Sequence, residues 1–315
     1  MQLFNVENFD DFIGQNHIKT TLMVMIDAAS KQKRIIDHLL FYGPPGLGKS
    51  SLAKIIANTT KQKIVYAQGP LLEKKSDLIT LFSSIEDNNI IFIDEIHSIN
   101  KNLFELLYSA MENQSIDIVL GVDGDKKIMR LKLPKFTLIS ATTNFDMLSQ
   151  PLKDRFGFIG RLNMYKVEEI EQILTNNATK YAIKIDDMSI KEIAKNSRQT
   201  PRIANNLLKR VHDFCLYEDK EKINLEIVNQ AFKYLGVYNL GLNDLQIHYL
   251  KILAEIFEQK AVSLDSITNI LKENRQTIIS DVEPYLLLHK FIIKTARGRI
   301  ITQKGINYLN EYFLK

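Results

Sequence analysis

An α/β fold built on a parallel sheet, followed by a small helical unit and a terminal unit that ends in a hairpin, is predicted by three observations. Short apolar runs alternate with amphipathic stretches through the first half of the chain, as they do when helices cover the faces of a parallel sheet. A glycine-rich loop, Gly43 to Ser50 (GPPGLGKS), stands between one such apolar run and a helix-forming run. Beyond about Lys166 the apolar residues fall instead at three- and four-residue spacing.

In chain order, strands are expected at His38 to Tyr42, Lys63 to Ala67, Ile90 to Ile93 and Thr137 to Ala141. Between them, a helix over Ser76 to Ile85 places Leu78, Leu81, Phe82 and Ile85 on one face, and a helix over Asn100 to Met111 does the same with Leu103, Leu106, Leu107 and Met111. One segment breaks the alternation: the β-prone runs Ile116 to Val122 and Ile128 to Leu133 flank Asp123-Gly124, a hairpin turn, and Pro134 closes it because proline cannot continue a ladder. From Lys166 to Tyr234 the pattern is helical throughout. From Asn243 come three helical stretches and then Phe291 to Ile301, two short β runs around Arg297-Gly298-Arg299, the layout of a winged helix. Domains are accordingly expected at 1–165 (with the hairpin insert at 115–133), 166–240 and 241–315.

A chain of 315 residues suits two or three domains, and an apolar content of 45% with 25% charged residues is ordinary for a globular protein. No stretch approaches the ~20 apolar residues of a membrane span, and Met1 to Asp11 carries acidic residues and no signal-like apolar core, so a cytoplasmic location without a membrane partner is expected. The single cysteine, Cys215, excludes an intramolecular disulfide and reads as a small buried apolar residue. A net charge of +4 is compatible with nucleic acid without arguing for it.

The chemistry is concentrated at the ends of the expected strands. A glycine loop that opens a helix turns successive backbone N–H groups and the positive end of the helix dipole toward one point, where a triphosphate gains hydrogen bonds. There Lys49 would reach the β- and γ-phosphates and the Ser50 hydroxyl would sit on Mg²⁺. Ile90 to Glu95 (IIFIDE) is an apolar strand ending in two carboxylates, of which Asp94 would hold Mg²⁺ through water and Glu95 would orient and polarise the attacking water. Thr142, Thr143 and Asn144 end the next strand, and ligands bind at carboxyl ends in open α/β sheets. Arg155 has the planar, permanently charged fork that suits a phosphate, and Arg202 opens a helix with Pro201 at its first turn. His97, three residues beyond Asp94, is assigned no chemistry.

Taken together, GPPGLGKS, IIFIDEIH, ISATTN, PLKDRFG (151–157) and SRQTPRIANNLLKRVHD (197–213) closely resemble the RuvB family of AAA+ motor ATPases, and the resemblance covers most of the chain. It extends to FDDFIGQ (9–15), DIVLG (117–121), EPYL (283–286) and TARGR (295–299). The resemblance implies an AAA+ P-loop NTPase domain, a helical lid and a C-terminal winged helix, acting as a homo-hexameric ring that uses ATP and Mg²⁺ to drive branch migration of Holliday junctions in recombination and repair. It implies phosphate contacts from Gly43, Gly46, Leu47, Gly48, Lys49, Ser50 and Ser51, and a sensor role for Thr143. Arg155 becomes the arginine finger offered to a neighbouring subunit, and Arg202 the second sensor. Ile13, Tyr165 and Pro201 become walls of the adenine pocket. It implies duplex DNA at four-way junctions as a partner, with Lys294, Arg297 and Arg299 as phosphate contacts, and RuvA docking on the hairpin through Ile116, Ile118, Leu120 and Val122, with RuvC as a further partner. An exposed apolar hairpin needs such a partner; the alternative is a hairpin folded down on its own domain.

The chain departs from the family pattern at Asn144 (usually arginine), Gln199 (usually glycine), Ala296 (usually proline) and His289-Lys290. Asparagine at 144 is also what clamp-loader ATPases carry. A clamp-loader-type ATPase therefore stays open as an alternative, as does a DNA-binding regulator that uses nucleotide as a structural ligand.

Overall fold

The computed structural model describes residues 4, 6–120 and 127–313. Two compact units result, Met1–Ile183 with Gln199–Leu208, and Lys184–Arg198 with Lys209–Lys315.

In the first unit, β1 (Leu39–Tyr42), β2 (Ile64–Gln68), β3 (Asn89–Asp94), β6 (Phe136–Thr142) and β7 (Phe158–Arg161) form one parallel sheet in the order β2-β3-β6-β1-β7, while β4 (Ser115–Leu120) and β5 (Lys127–Lys132) make a separate antiparallel ladder. The central strands are apolar almost end to end because helices cover both faces, so β6 is buried at every position whereas the edge strand β2 is only partly covered. Four strands were legible as apolar runs. The fifth, β7, was not, because its four residues include Gly160 and a terminal arginine and it is held in place by pairing with β1. The register aligns Tyr42 with Thr142 and Gln68 with Asp94, which brings the carboxyl ends of β1, β3 and β6 to one edge of the sheet.

The expected helix over Ser76 to Ile85 is Lys75–Ser83, burying Leu78, Leu81 and Phe82. Over 100–111 the chain instead makes a 3₁₀ turn, Lys101–Leu103, before the α-helix Phe104–Asn113, because the Asn100 side chain accepts from the Asn102 amide and opens a tight turn first. Both helices pack on Ile91, Ile93, Phe136 and Leu138 of the sheet. The helix Lys49–Thr60 buries Leu52, Ile55 and Ile56.

The hairpin pairs Ile116 with Leu131 and Ile118 with Met129. Its expected outward apolar ladder is corrected at the base: Ile116 is fully buried in the core of its own unit with Leu133, and Ile118 packs against that core. The reason is that the strand leaves directly from the helix Phe104–Asn113, so its first residues are still over the sheet's hydrophobic face. Asp117 and Arg130 form a bidentate pair across the strands at 2.8 and 2.9 Å. Leu120 ends β4 opposite Lys127, and Val122 and the expected Asp123-Gly124 turn lie outside the described residues.

In the second unit, the helices Asp187–Lys195 and Leu225–Leu235 join the later part of Pro201–Tyr217, and Cys215 is buried among them as a small side chain. The remainder is a winged helix: Asp244–Lys251, Leu264–Leu271 and Glu283–Leu288 precede β8 (Ile292–Thr295) and β9 (Gly298–Ile301), and Val262 makes a single antiparallel bridge to Arg299. Tyr249, Leu250, Ile267, Leu286, Phe291 and Leu309 form its core. The last helix, Gln303–Tyr312, closes it and was not foreseen. Among the described residues, no helix is long and apolar enough to cross a membrane.

Candidate active site

The loop Gly43 to Ser50 leaves β1 and enters the helix that begins at Lys49, with Gly43, Gly46 and Gly48 at φ of 138°, 79° and 101°. These are left-handed conformations that side chains rarely adopt. At Gly46 a Cβ would also lie 2.9 Å from both Thr200 Cγ2 and Arg202 Cβ, so the loop is seated against the start of the helix Pro201–Tyr217. The Arg202 amide donates to the Gly46 carbonyl at 3.4 Å.

A cavity of about 860 Å³ opens at this edge, within the size range of nucleotide-type pockets. Ile13, Gly46, Leu47, Gly48, Lys49, Ser50, Ser51, Asp94, Glu95, Tyr165, Pro201 and Arg202 all line it, which brings most of the expected site residues together. Gly43 does not line it, and serves the loop from beneath, where its Cβ would meet the Leu162 carbonyl at 2.5 Å. Phe12, Tyr66, Ile173 and Asn205 line the cavity and were missed. Phe12 sits in the FDDFIGQ stretch and Asn205 in the stretch 197–213, so their neighbourhoods were visible in the sequence; Tyr66 and Ile173 are reached only through the fold. The Tyr165 hydroxyl donates to the Leu47 carbonyl at 3.2 Å, and burial raises its pKa.

Lys49 Nζ donates to the carbonyls of Gly43 (2.7 Å) and Pro44 (2.9 Å), curling over its own loop. Burial lowers its pKa, and the charges of Glu95 and Asp94 oppose that shift. A hydroxyl at Ser50 and a carboxylate at Asp94 on the same cavity are hard oxygen donors of the kind Mg²⁺ takes. Among the described residues there is no cluster of three or more acidic, His or Cys ligands.

Glu95 is tied to the end of β6. Its backbone is left-handed (φ 49°), and its Oε2 accepts from the Thr143 amide at 3.0 Å and the Thr143 hydroxyl at 2.9 Å. His97 Nδ1 lies 3.1 Å from the same oxygen. Thr143 thus reaches the site through Glu95.

Arg155 lies elsewhere. Its guanidinium pairs with Glu112 Oε1 at 2.8 Å, donates to the Pro151 carbonyl at 2.5 Å and stacks 4.5 Å from the Tyr108 ring centre, with Nε buried and without a hydrogen-bond partner among the described residues. In the winged helix, Lys294 and Arg299 both pair with Glu283, at 2.6 and 2.8 Å, and that carboxylate is fully buried. Two of the three expected phosphate contacts are therefore committed to one internal carboxylate. Arg297 stands exposed at the hairpin turn, with no ion pair among the described residues.

Family models match along the chain in three stretches: "Holliday junction DNA helicase RuvB P-loop domain" over residues 5–162, "RuvB AAA lid domain" over 165–238 and "RuvB C-terminal winged helix domain" over 239–310. The Holliday junction branch migration complex subunit RuvB of Mycoplasmopsis pulmonis is 54% identical over 97% of each chain, and that of Fusobacterium nucleatum 40% identical over 98% of this chain and 93% of its own. Among solved structures, the Thermotoga maritima RuvB Holliday junction branch migration motor superposes with a TM-score of 0.83 at 37% identity, covering 99% of both chains.

Proposed function

The chain belongs to the RuvB family, and on that premise we propose that it is an ATPase whose hydrolysis drives branch migration of four-way DNA junctions. The observation that carries this reading is the convergence of Lys49, Ser50, Asp94, Glu95 and Arg202 on one cavity.

In hydrolysis the oxygen of water bonds to the γ-phosphorus as the bond from that phosphorus to the β,γ-bridging oxygen breaks, leaving its electrons on ADP; the water's proton passes to the Glu95 carboxylate and on to solvent. Lys49 exchanges its two loop carbonyls for the β- and γ-phosphate oxygens. Backbone N–H groups of 46–50 bind the phosphate chain, Ile13, Tyr165 and Pro201 flank the base, and Arg202 links the phosphates to the helix that follows. Ser50 and Asp94 would hold Mg²⁺, which supplies charge neutralisation on the phosphates when bound. Positioning and charge stabilisation provide most of the acceleration in such reactions.

In this reading, 1–165 is the ATPase domain, 166–240 the lid and 241–315 the DNA-binding winged helix. The subunit works in a homo-hexameric ring in the cytoplasm, Arg155 completes a neighbour's site, and RuvA docks on the hairpin 115–133 above its buried base. RuvC joins as a further partner at the junction. Arg297 makes the direct phosphate contact of the wing, with Lys294 and Arg299 adding charge from behind. Contacts of this kind position the protein without reading sequence, which suits a motor on any duplex.

The test is ATP-driven dissociation of a synthetic four-way junction with and without added RuvA, using Lys49→Ala as the blank. Junction movement that RuvA enhances and the blank abolishes is the expected result. Hydrolysis without junction movement would refute the motor reading.

A further inference from the structure

His97 and Asn144 have no part in the reading above, yet the fold brings them together behind Glu95. His97 lies in the turn Ile96–Ser98 directly after the left-handed Glu95, and its side chain is only 10% exposed. Its Nδ1 is 3.1 Å from Glu95 Oε2 and 2.9 Å from Thr142 Oγ1, and its Nε2 is 3.1 Å from the Asn144 side-chain amide nitrogen. The Asn144 backbone amide donates to the same Thr142 oxygen at 3.1 Å, which closes the set.

The chemistry of the partners decides where the imidazole hydrogen sits. An ionised carboxylate only accepts, so a bare Nδ1 lone pair 3.1 Å from it would be repelled, and Nδ1 must carry the hydrogen. A neutral ring with hydrogen on Nδ1 has its lone pair on Nε2, where the Asn144 amide group, a donor, is placed. With its NH₂ turned to Nε2, Asn144 satisfies the same tautomer that the Glu95 carboxylate favours at Nδ1. Glu95 Oε2 then receives two hydrogen bonds, from the Thr143 amide and the Thr143 hydroxyl, and His97 Nδ1, whose hydrogen-bond partner is Thr142 Oγ1, faces the same oxygen at 3.1 Å with the positive end of its N–H dipole.

We infer that His97 is a positioning residue for the Glu95 carboxylate and that Asn144 sets the tautomer in which it does so. With Oε2 held by the two Thr143 donors and faced by the His97 ring, Oε1 is the oxygen left to take the proton of the attacking water. The inference rests on the assignment of Glu95 to that water and deepens it: the base is oriented by the residues at the ends of β3 and β6, through Thr142, Thr143 and His97.

Two measurements on the full-length chain test it. The first is the ring nitrogen resonances of the ¹⁵N-labelled protein at pH 8 without nucleotide, with His97 assigned by its disappearance in His97→Gln. A protonated Nδ1 and bare Nε2 are expected, with that preference lost in Asn144→Leu; a protonated Nε2 in the wild-type protein, or an unchanged tautomer in Asn144→Leu, overturns the inference. The second is kcat against nucleotide affinity. His97→Ala should lower kcat about tenfold, the effect of removing the ring that faces Glu95 Oε2, without changing the Kd for ATP. His97→Asn, whose amide can donate from the place of Nδ1, should recover most of it. A His97→Ala protein with wild-type kcat, or a loss that His97→Asn does not recover, overturns it. Glu95→Gln separates the two levels: if it turns over normally, the assignment of the base itself fails, whereas loss of turnover in Glu95→Gln with none in His97→Ala sinks the positioning role alone.

Discussion

At the scale of single residues, the groups that matter are those whose partners restrict them. Glu95→Gln keeps the shape and most of the Thr143 contacts but cannot take a proton, so ATP binding is expected to persist while turnover drops by a hundredfold or more on the order of a lost general base; single-turnover kinetics with binding measured in parallel checks this. Glu283 poses a different problem, that of a fully buried carboxylate. Burial works to raise its pKa, but hydrogen bonds from Arg299, Lys294 and Tyr249 outweigh that and leave it below its ordinary value of 4.5. A depressed folded pKa contributes stability that is present above pH 4.5 and is lost as the pH falls through the lower folded value. The winged helix should therefore lose stability on acidification below that point. Glu283→Gln, which leaves Arg299 and Lys294 without their anion, should cost about 3 kcal/mol at neutral pH and flatten the acid dependence, measurable by thermal unfolding across pH 3 to 7.

At the scale of elements, the phosphate loop and the wing differ in how much of them local sequence explains. The loop's glycines are needed by local geometry alone, since three of its residues take positive φ. Gly46→Ala adds both strain at φ 79° and a 2.9 Å approach to Thr200 and Arg202, so nucleotide affinity should fall by at least tenfold, read by titration with a fluorescent ATP analogue. The wing was visible as two β runs around a basic turn, but the disposition of its charges was not. Lys294 faces Arg299 across the ladder, and both meet a carboxylate from the preceding helix. Arg297→Ala should consequently weaken DNA binding for every sequence alike and reduce the slope of log affinity against log salt by about 0.9. A larger effect from Arg299→Ala on affinity, without loss of the fold, would contradict this division of labour. The hairpin base shows the same limit: alternation in 116–122 could not say that Ile116 lies over the core, because burial there depends on where the preceding helix ends.

At the scale of the whole molecule, the proposed ring turns on Arg155. The structure holds this side chain against Glu112, Tyr108 and the Pro151 carbonyl, away from the cavity that contains Lys49 and Glu95, so within one subunit it takes no part in hydrolysis. Arg155→Ala should fold and bind ATP yet lose roughly a thousandfold in turnover, and mixing it with Lys49→Ala subunits should restore activity, each supplying what the other lacks. Restoration is a property of the assembly and would be absent if the arginine acted within its own chain. By itself the sequence determined the pieces: the glycine loop, the apolar strands ending in Asp94-Glu95 and Thr143, the amphipathic helices and the basic hairpin, because each is specified by residues contiguous in the chain through backbone freedom and apolar period. Only the tertiary structure decided their convergence. The order β2-β3-β6-β1-β7 places the ends of β3 and β6 beside the loop after β1, where Phe12, Tyr165 and Arg202 line the same cavity and His97 meets Asn144; separately, the packing of the winged helix commits Arg299 to Glu283. Such contacts join residues far apart in sequence, and their cost in chain entropy is met by the burial of the whole core rather than by any local signal.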